Sequence, residues 1–198
     1  MDLSPNVVRR LALIKFMLKS AMSQSEKSPP ISLLSVLTFQ DLIEWFCLLS
    51  CEHRHIIVGK EQGFDQRLKL IGENIKPALL QFVGPMQKLN KARVQLKHDG
   101  VFPSIEFVQE IKSSVSQFLS SNCPIVFGVS FESVSLCDLV ESEGPRTLLK
   151  EAMTCLETGE LDRGFAQVAI SFEDLIIGFE SANSDQFGMS TDKTIDPP

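Results

Sequence analysis

Thr38-Phe39-Gln40-Asp41-Leu42-Ile43-Glu44-Trp45-Phe46 spaces its large apolar side chains three and four residues apart, with Asp41 and Glu44 on the intervening face. That is the period of an amphipathic α-helix. The implied helix starts at about Ser32 or Ser35 and ends near Cys51. Its core face would carry Leu34, Leu37, Leu42, Trp45, Phe46 and Leu49. Much of this wording returns in Ser171-Phe172-Glu173-Asp174-Leu175-Ile176-Ile177-Gly178-Phe179, where five of nine residues are identical and Thr/Ser and Gln/Glu are close substitutes. Upstream, Leu18-Lys19-Ser20-Ala21-Met22 and Leu149-Lys150-Glu151-Ala152-Met153 agree in four of five places. The two windows are offset by 131 and 133 residues, with the slip assigned to the loop between two helices, where insertions are tolerated. A helical hairpin used twice accounts for both matches. The second copy stops after its first two helices, as expected of a truncated or split form of a longer repeat protein.

The rest of the chain also reads as helix. Ser4-Pro5 supplies an N-cap hydroxyl and a proline at the first helical position, and Val8, Leu11, Ala12, Lys15, Leu18 and Met22 mark one face beyond it. Ser23 to Pro30 is polar and Pro-rich, which reads as a loop. A third helix is expected from about Asp65 to Phe82, stopping before Gly84-Pro85. A fourth is expected from about Pro85 to His98, ended by Gly100, and a fifth from Pro103-Ser104 to about Ser121. Ile125 to Phe131 is the one β-like run; with no second strand to pair with, it reads as a buried extended linker. A short turn near 133–140 precedes helices at about 145–158 and 161–179. The expected fold class is all-α, with a helical domain over residues 1–124, a partial repeat over 125–181 and a disordered, Ser/Asp/Thr-rich tail over 182–198.

Composition limits the function. With 19 Lys and Arg against 25 Asp and Glu in 198 residues, the net charge is -6. A protein that coats nucleic acid through its overall field is excluded; a local basic site is not, and no DNA partner is expected. No unbroken run of 18 apolar residues is present, so no membrane span is expected, and the N-terminus lacks a secretory pattern. Five cysteines without a Cys-x-x-Cys pair suit a reducing cytoplasm better than a disulfide framework.

The densest basic stretch of this acidic chain is Leu89-Asn90-Lys91-Ala92-Arg93-Val94-Gln95-Leu96-Lys97-His98-Asp99-Gly100. Lys91, Arg93 and Lys97 offer a phosphate a place to sit, and His98 can pass protons near neutral pH without tuning. On an ideal helix Arg93 and His98 stand about 7.5 Å apart along the axis and roughly 140° apart around it. They could share a cleft only if the helix loosens near His98 or a second copy of the chain completes the site.

This Arg-x4-His near a helix end, in a small helical domain, resembles the HEPN superfamily, whose members share an Arg-x(4–6)-His motif on a helical bundle and often dimerise. Phe39 to Phe46 is similar to the earlier helix of such domains, where an acidic residue precedes aromatics. The resemblance covers about residues 5–120. It implies a metal-independent endoribonuclease, of a toxin or antiviral-defence type, acting as a homodimer with an antitoxin or other partner protein. By that pattern His98 activates the ribose 2′-hydroxyl or protonates the leaving group, Arg93 holds the scissile phosphate, and Lys91 and Lys97 bind the RNA backbone. No cofactor and no metal are implied. One position departs from the pattern: active members usually carry Asn, Asp or His directly after the arginine, and here it is Val94. The alternative is therefore a non-catalytic interaction or regulatory module, in which Arg93 or His98 would be covered by packing and internal hydrogen bonds.

Cys47, Cys51, His53 and His55 offer thiol and imidazole groups of the kind that bind zinc. The short chain between them leaves little room to wrap a tetrahedral ion, and two buried cysteines beside a polar helix end explain the same residues. No Gly-rich phosphate loop, Gly-x-Ser-x-Gly or His-Glu-x-x-His is present.

Overall fold

The computed structural model describes residues 3–59 and 61–183. Among these residues the chain is all-α: helices α1 (Pro5–Ser25), α2 (Ile31–His53), α3 (Phe64–Asn74), α4 (Val83–Val94), α5 (Ile105–Phe127), α6 (Glu143–Thr158) and α7 (Leu161–Asn183). A π-helical turn, Gln95–Asp99, continues α4, and a 3-10 turn, Leu136–Leu139, follows α5. The chain divides into two compact units, the first ending at Leu139 and the second beginning at Val140.

The first unit is organised around α2, which packs against α1, α3, α4 and α5. Phe39, Leu42, Ile43 and Phe46 are fully buried there. Phe118 and Phe127 of α5 meet the Phe46 ring edge-on, at centroid distances of 5.4 and 5.5 Å. Helix α2 is also long and apolar enough, by length and composition, to cross a membrane, with a mean hydropathy of 1.5. Its apolar residues form the centre of this bundle. The expected core face is correct at Leu42, Phe46 and Leu49. It is wrong at Leu34 and Trp45, both exposed. Buried Val36, Phe39 and Ile43 show that the buried stripe is rotated around α2 away from the expected face.

Local signals set several helix ends. The Ser4 hydroxyl accepts from the Val7 N–H, and the Ser104 hydroxyl accepts from the Phe107 N–H. Lys15 lies on the half-buried side of α1 because its ammonium donates to the carbonyls of Glu132 and Val134, at 2.7 and 2.6 Å. Two expected boundaries moved. Helix α3 stops at Asn74 rather than reaching Phe82, since the residue before Pro77 is kept out of the helical region. Gly84 and Pro85 do not break the chain but lie in the first turn of α4, where an absent N–H leaves no intrahelical bond unmade.

The Ile125–Phe131 run is not an extended linker. Helix α5 continues through Pro124 to Phe127 and ends at Gly128, whose φ of 75° is left-handed. A proline inside a helix costs about 3 kcal/mol. Burial of Val126, on the seam set by Ile111, Val115 and Phe118, and of Phe127 against the Phe46 ring offsets that cost.

The second unit, over its described residues, is a hairpin of α6 and α7. Gly159 turns the chain at φ 80°, and the Glu160 N–H donates to the Cys155 carbonyl at 2.8 Å. The helices approach closely at Gly164: a Cβ there would lie 3.3 Å from the Cys155 Cβ and 3.4 Å from the Ala152 carbonyl oxygen. The Ser171 hydroxyl, buried, donates to the Pro145 carbonyl. The sequence windows matched above fall on corresponding helices, on α1 and α6 for the first and on α2 and α7 for the second. The slip between them does not lengthen the loop. The loop is shorter in the second hairpin (159–160 against 26–30), and α6 and α7 extend further toward it. Ala182 and Asn183 close α7; from residue 184 on, the expected tail lies outside the described residues.

Candidate nucleic-acid interface

Helix α4 is held in place from two sides. Asn122 of α5, fully buried, accepts from the Gln81 N–H at 2.8 Å and donates to the Gln81 and Phe118 carbonyls at 3.0 and 2.7 Å. These bonds fix the segment that launches α4, where Phe82 takes a left-handed φ of 57°. Gln40 of α2 donates to the Asn90 side chain at 3.4 Å. Met86, Leu89 and Leu96 are buried, so the inward seam of α4 runs onward into the π turn.

That seam has a notable member. Residues 86, 89, 93 and 96 follow one another at helical spacings of three, four and three. Position 93 therefore lies between two buried leucines, yet it holds arginine, half-buried. No hydrogen bond or ion pair is formed by Arg93 among the described residues. The same holds for Lys91, Lys97 and His98, all three of which are exposed. Neighbouring Lys88, by contrast, pairs with Glu110 at 3.7 Å.

Past Val94 the helix widens. Gln95–Asp99 is a π turn, closed by a bond from the Gly100 N–H to the Gln95 carbonyl, with Gly100 left-handed at φ 67°. A turn that bonds five residues apart rotates side chains five apart toward one face, where a regular α-helix holds them roughly 140° apart. His98 lies within this widened turn, and Arg93 stands two residues before it, in the last turn of α4. They are not sealed inside the bundle. Val94, the departure from the active pattern, is exposed beside them.

The thiol and imidazole residues of α2 separate. Cys47 is in the core, where burial pushes its thiol well above the usual range; burial also raises Cys51, and it raises Cys123 to about 12. All five cysteines are free. The His53 ring lies against Phe127, at 5.1 Å, and burial lowers its pKa, while His55 sits past the helix end with a left-handed φ of 55°. Among the described residues no group of three or more His, Cys, Asp and Glu side chains is placed to share an ion.

Sequence reasoning weighed His53 and His55 as zinc ligands or, with Glu52 and Arg54, as a polar helix end, and did not see the groove they border. It has a volume of about 800 Å³ and runs between the start of α1 and the ends of α2 and α5. Arg10 and Glu52 form an ion pair at its wall, and Arg54 donates to the Ile125 carbonyl at 3.0 Å. The available signal was the polar run Glu52-His53-Arg54-His55 directly after an apolar helix.

No protein-family model matches the chain, and neither a curated protein nor a solved structure is detectably similar to it.

Proposed function

We propose that the chain is a HEPN-like, RNA-directed protein of the cytoplasm that grips phosphate with Arg93 and cleaves the backbone with His98, without metal. One observation carries the reading: Arg93 occupies a core-seam position, half-buried and without a protein acceptor, in the last turn of α4 just before the π turn that holds the exposed His98. With no protein group among the described residues paired to it, the Arg93 guanidinium keeps its donors free for an anion from outside.

The chemistry is transesterification. His98 takes the ribose 2′-hydroxyl proton as the 2′-oxygen attacks phosphorus. The bond from phosphorus to the 5′-oxygen breaks, and that oxygen receives a proton, from the same residue of a second copy facing the first. The products are a 2′,3′-cyclic phosphate and a free 5′-hydroxyl. Arg93 stabilises the extra charge on the phosphorane-like transition state, while Lys91 and Lys97 hold flanking phosphates. The test is incubation of purified protein with mixed RNA in EDTA. Cyclic-phosphate ends that form with wild type and are lost in His98→Ala support the reading, whereas cleavage that survives the substitution sinks the assignment.

A second reading, a non-catalytic helical interaction or regulatory module with a degenerate HEPN motif, is favoured by the exposed apolar Val94 and by the apolar face of α6 and α7. It predicts no RNA cleavage by the wild type under the same conditions.

A further inference from the structure

The two hairpins carry the same apolar pattern but not the same burial. Phe39, Ile43 and Phe46 of α2 are each 0% exposed, in a helix packed against α1, α3, α4 and α5. Their counterparts on α7 are open: Phe172 is 63% exposed, Ile176 41% and Phe179 63%. At 100° per residue, Phe165, Val168, Phe172, Ile176 and Phe179 fall within an arc of about 80°, beside the line through Gly164, Ser171 and Leu175 that faces α6. No charged residue shares that arc. Because α6 runs antiparallel and meets α7 through Pro145, Ala152 and Cys155, exposed Met153 and Leu156 project on the same side of the hairpin.

The open face is too large for an isolated surface. Taking about 150–250 Å² for a whole large side chain, the exposed fractions amount to on the order of 800 Å² of apolar area. The largest apolar patch on a typical monomer is about 300–600 Å². A standard specific interface uses about 800 Å² per partner.

We propose that this face is a homodimerisation surface, on which the α6–α7 hairpin of a second copy packs to complete a four-helix bundle. A second copy fits because it brings an equal, uncharged apolar face, so a twofold arrangement buries both faces at once. Two helices are half of such a bundle, and antiparallel hairpins with short loops pack in this way. The inference goes beyond the reading of α4 and is tested without RNA.

The experiment is sedimentation equilibrium of the full chain at several concentrations, with circular dichroism melts to confirm that each variant is folded. Wild type is expected to be a dimer with a Kd at or below about 10 μM. Phe172→Glu and Phe179→Glu should each weaken association at least about tenfold, because a charge would be buried at the centre of the contact. Ile177→Glu, at an equally exposed position on the opposite side of α7, should leave the dimer unchanged. A wild-type monomer at roughly 100 μM, or a dimer indifferent to Phe172→Glu in the folded variant, overturns the proposal.

Discussion

At Arg93 two demands on one residue conflict. The helical seam of Met86, Leu89 and Leu96 calls for an apolar side chain, and a guanidinium stands there without an acceptor. Arg93→Leu should therefore leave unfolding stability unchanged or raise it by up to about 1 kcal/mol, while RNA binding falls, as urea titration and filter binding would record. A loss of stability with RNA affinity intact would assign the arginine to packing instead. Glu132 is a contrasting case. The Ser120 and Ser130 hydroxyls donate to its carboxylate, and Lys15 lies nearby, so its pKa is held below the ordinary value. A depressed carboxylate contributes stability above its unfolded pKa, about 4.3, and that contribution is lost as pH falls through the folded value. Glu132→Gln should lower the melting temperature at pH 7, and the difference from wild type should shrink as the pH falls through the depressed folded value. Which residues form the basic cluster was legible in the chain. That Arg93 falls on the inward seam was not, because the π turn that follows it depends on Leu96 finding the core.

Among the elements, α5 decides where the candidate site stands. Its Asn122 binds both the N–H and the carbonyl of Gln81, just before α4 begins. Asn122→Leu removes three hydrogen bonds and buries a side chain that cannot replace them. We expect a loss of about 1–3 kcal/mol in urea unfolding, accompanied by faster amide exchange in α4. The length of α5 was misread for a physical reason: Pro124 argues locally for a stop, and only the burial of Val126 and Phe127 against α2 carries the helix past it. Helix α7 depends on its close approach to α6. Gly164→Val would push against the Cys155 Cβ and the Ala152 carbonyl, and should cost about 1–3 kcal/mol. Hydrogen exchange should show the loss confined to α6 and α7, with the protection of α1 to α5 unchanged.

Over the whole molecule, an all-α chain carries one hairpin pattern twice, once closed by further helices and once with its apolar face open. The pattern itself was legible because helical periodicity and matched polar residues, Lys19 with Lys150 and Asp41 with Asp174, survive in the sequence. The difference in burial was not, since a stripe of Phe and Ile reads the same whether or not a partner covers it. The same limit applies to function: exposure of His98 and the absence of an internal partner for Arg93 are properties of the folded chain. The central claim is that these two side chains break RNA, and one measurement addresses it most directly. Purified wild type and the His98→Ala variant are incubated with mixed RNA in EDTA and the product ends are analysed. The account predicts 2′,3′-cyclic phosphate ends from wild type and none above background from the variant; intact RNA with wild type, or equal cleavage by both proteins, would contradict it.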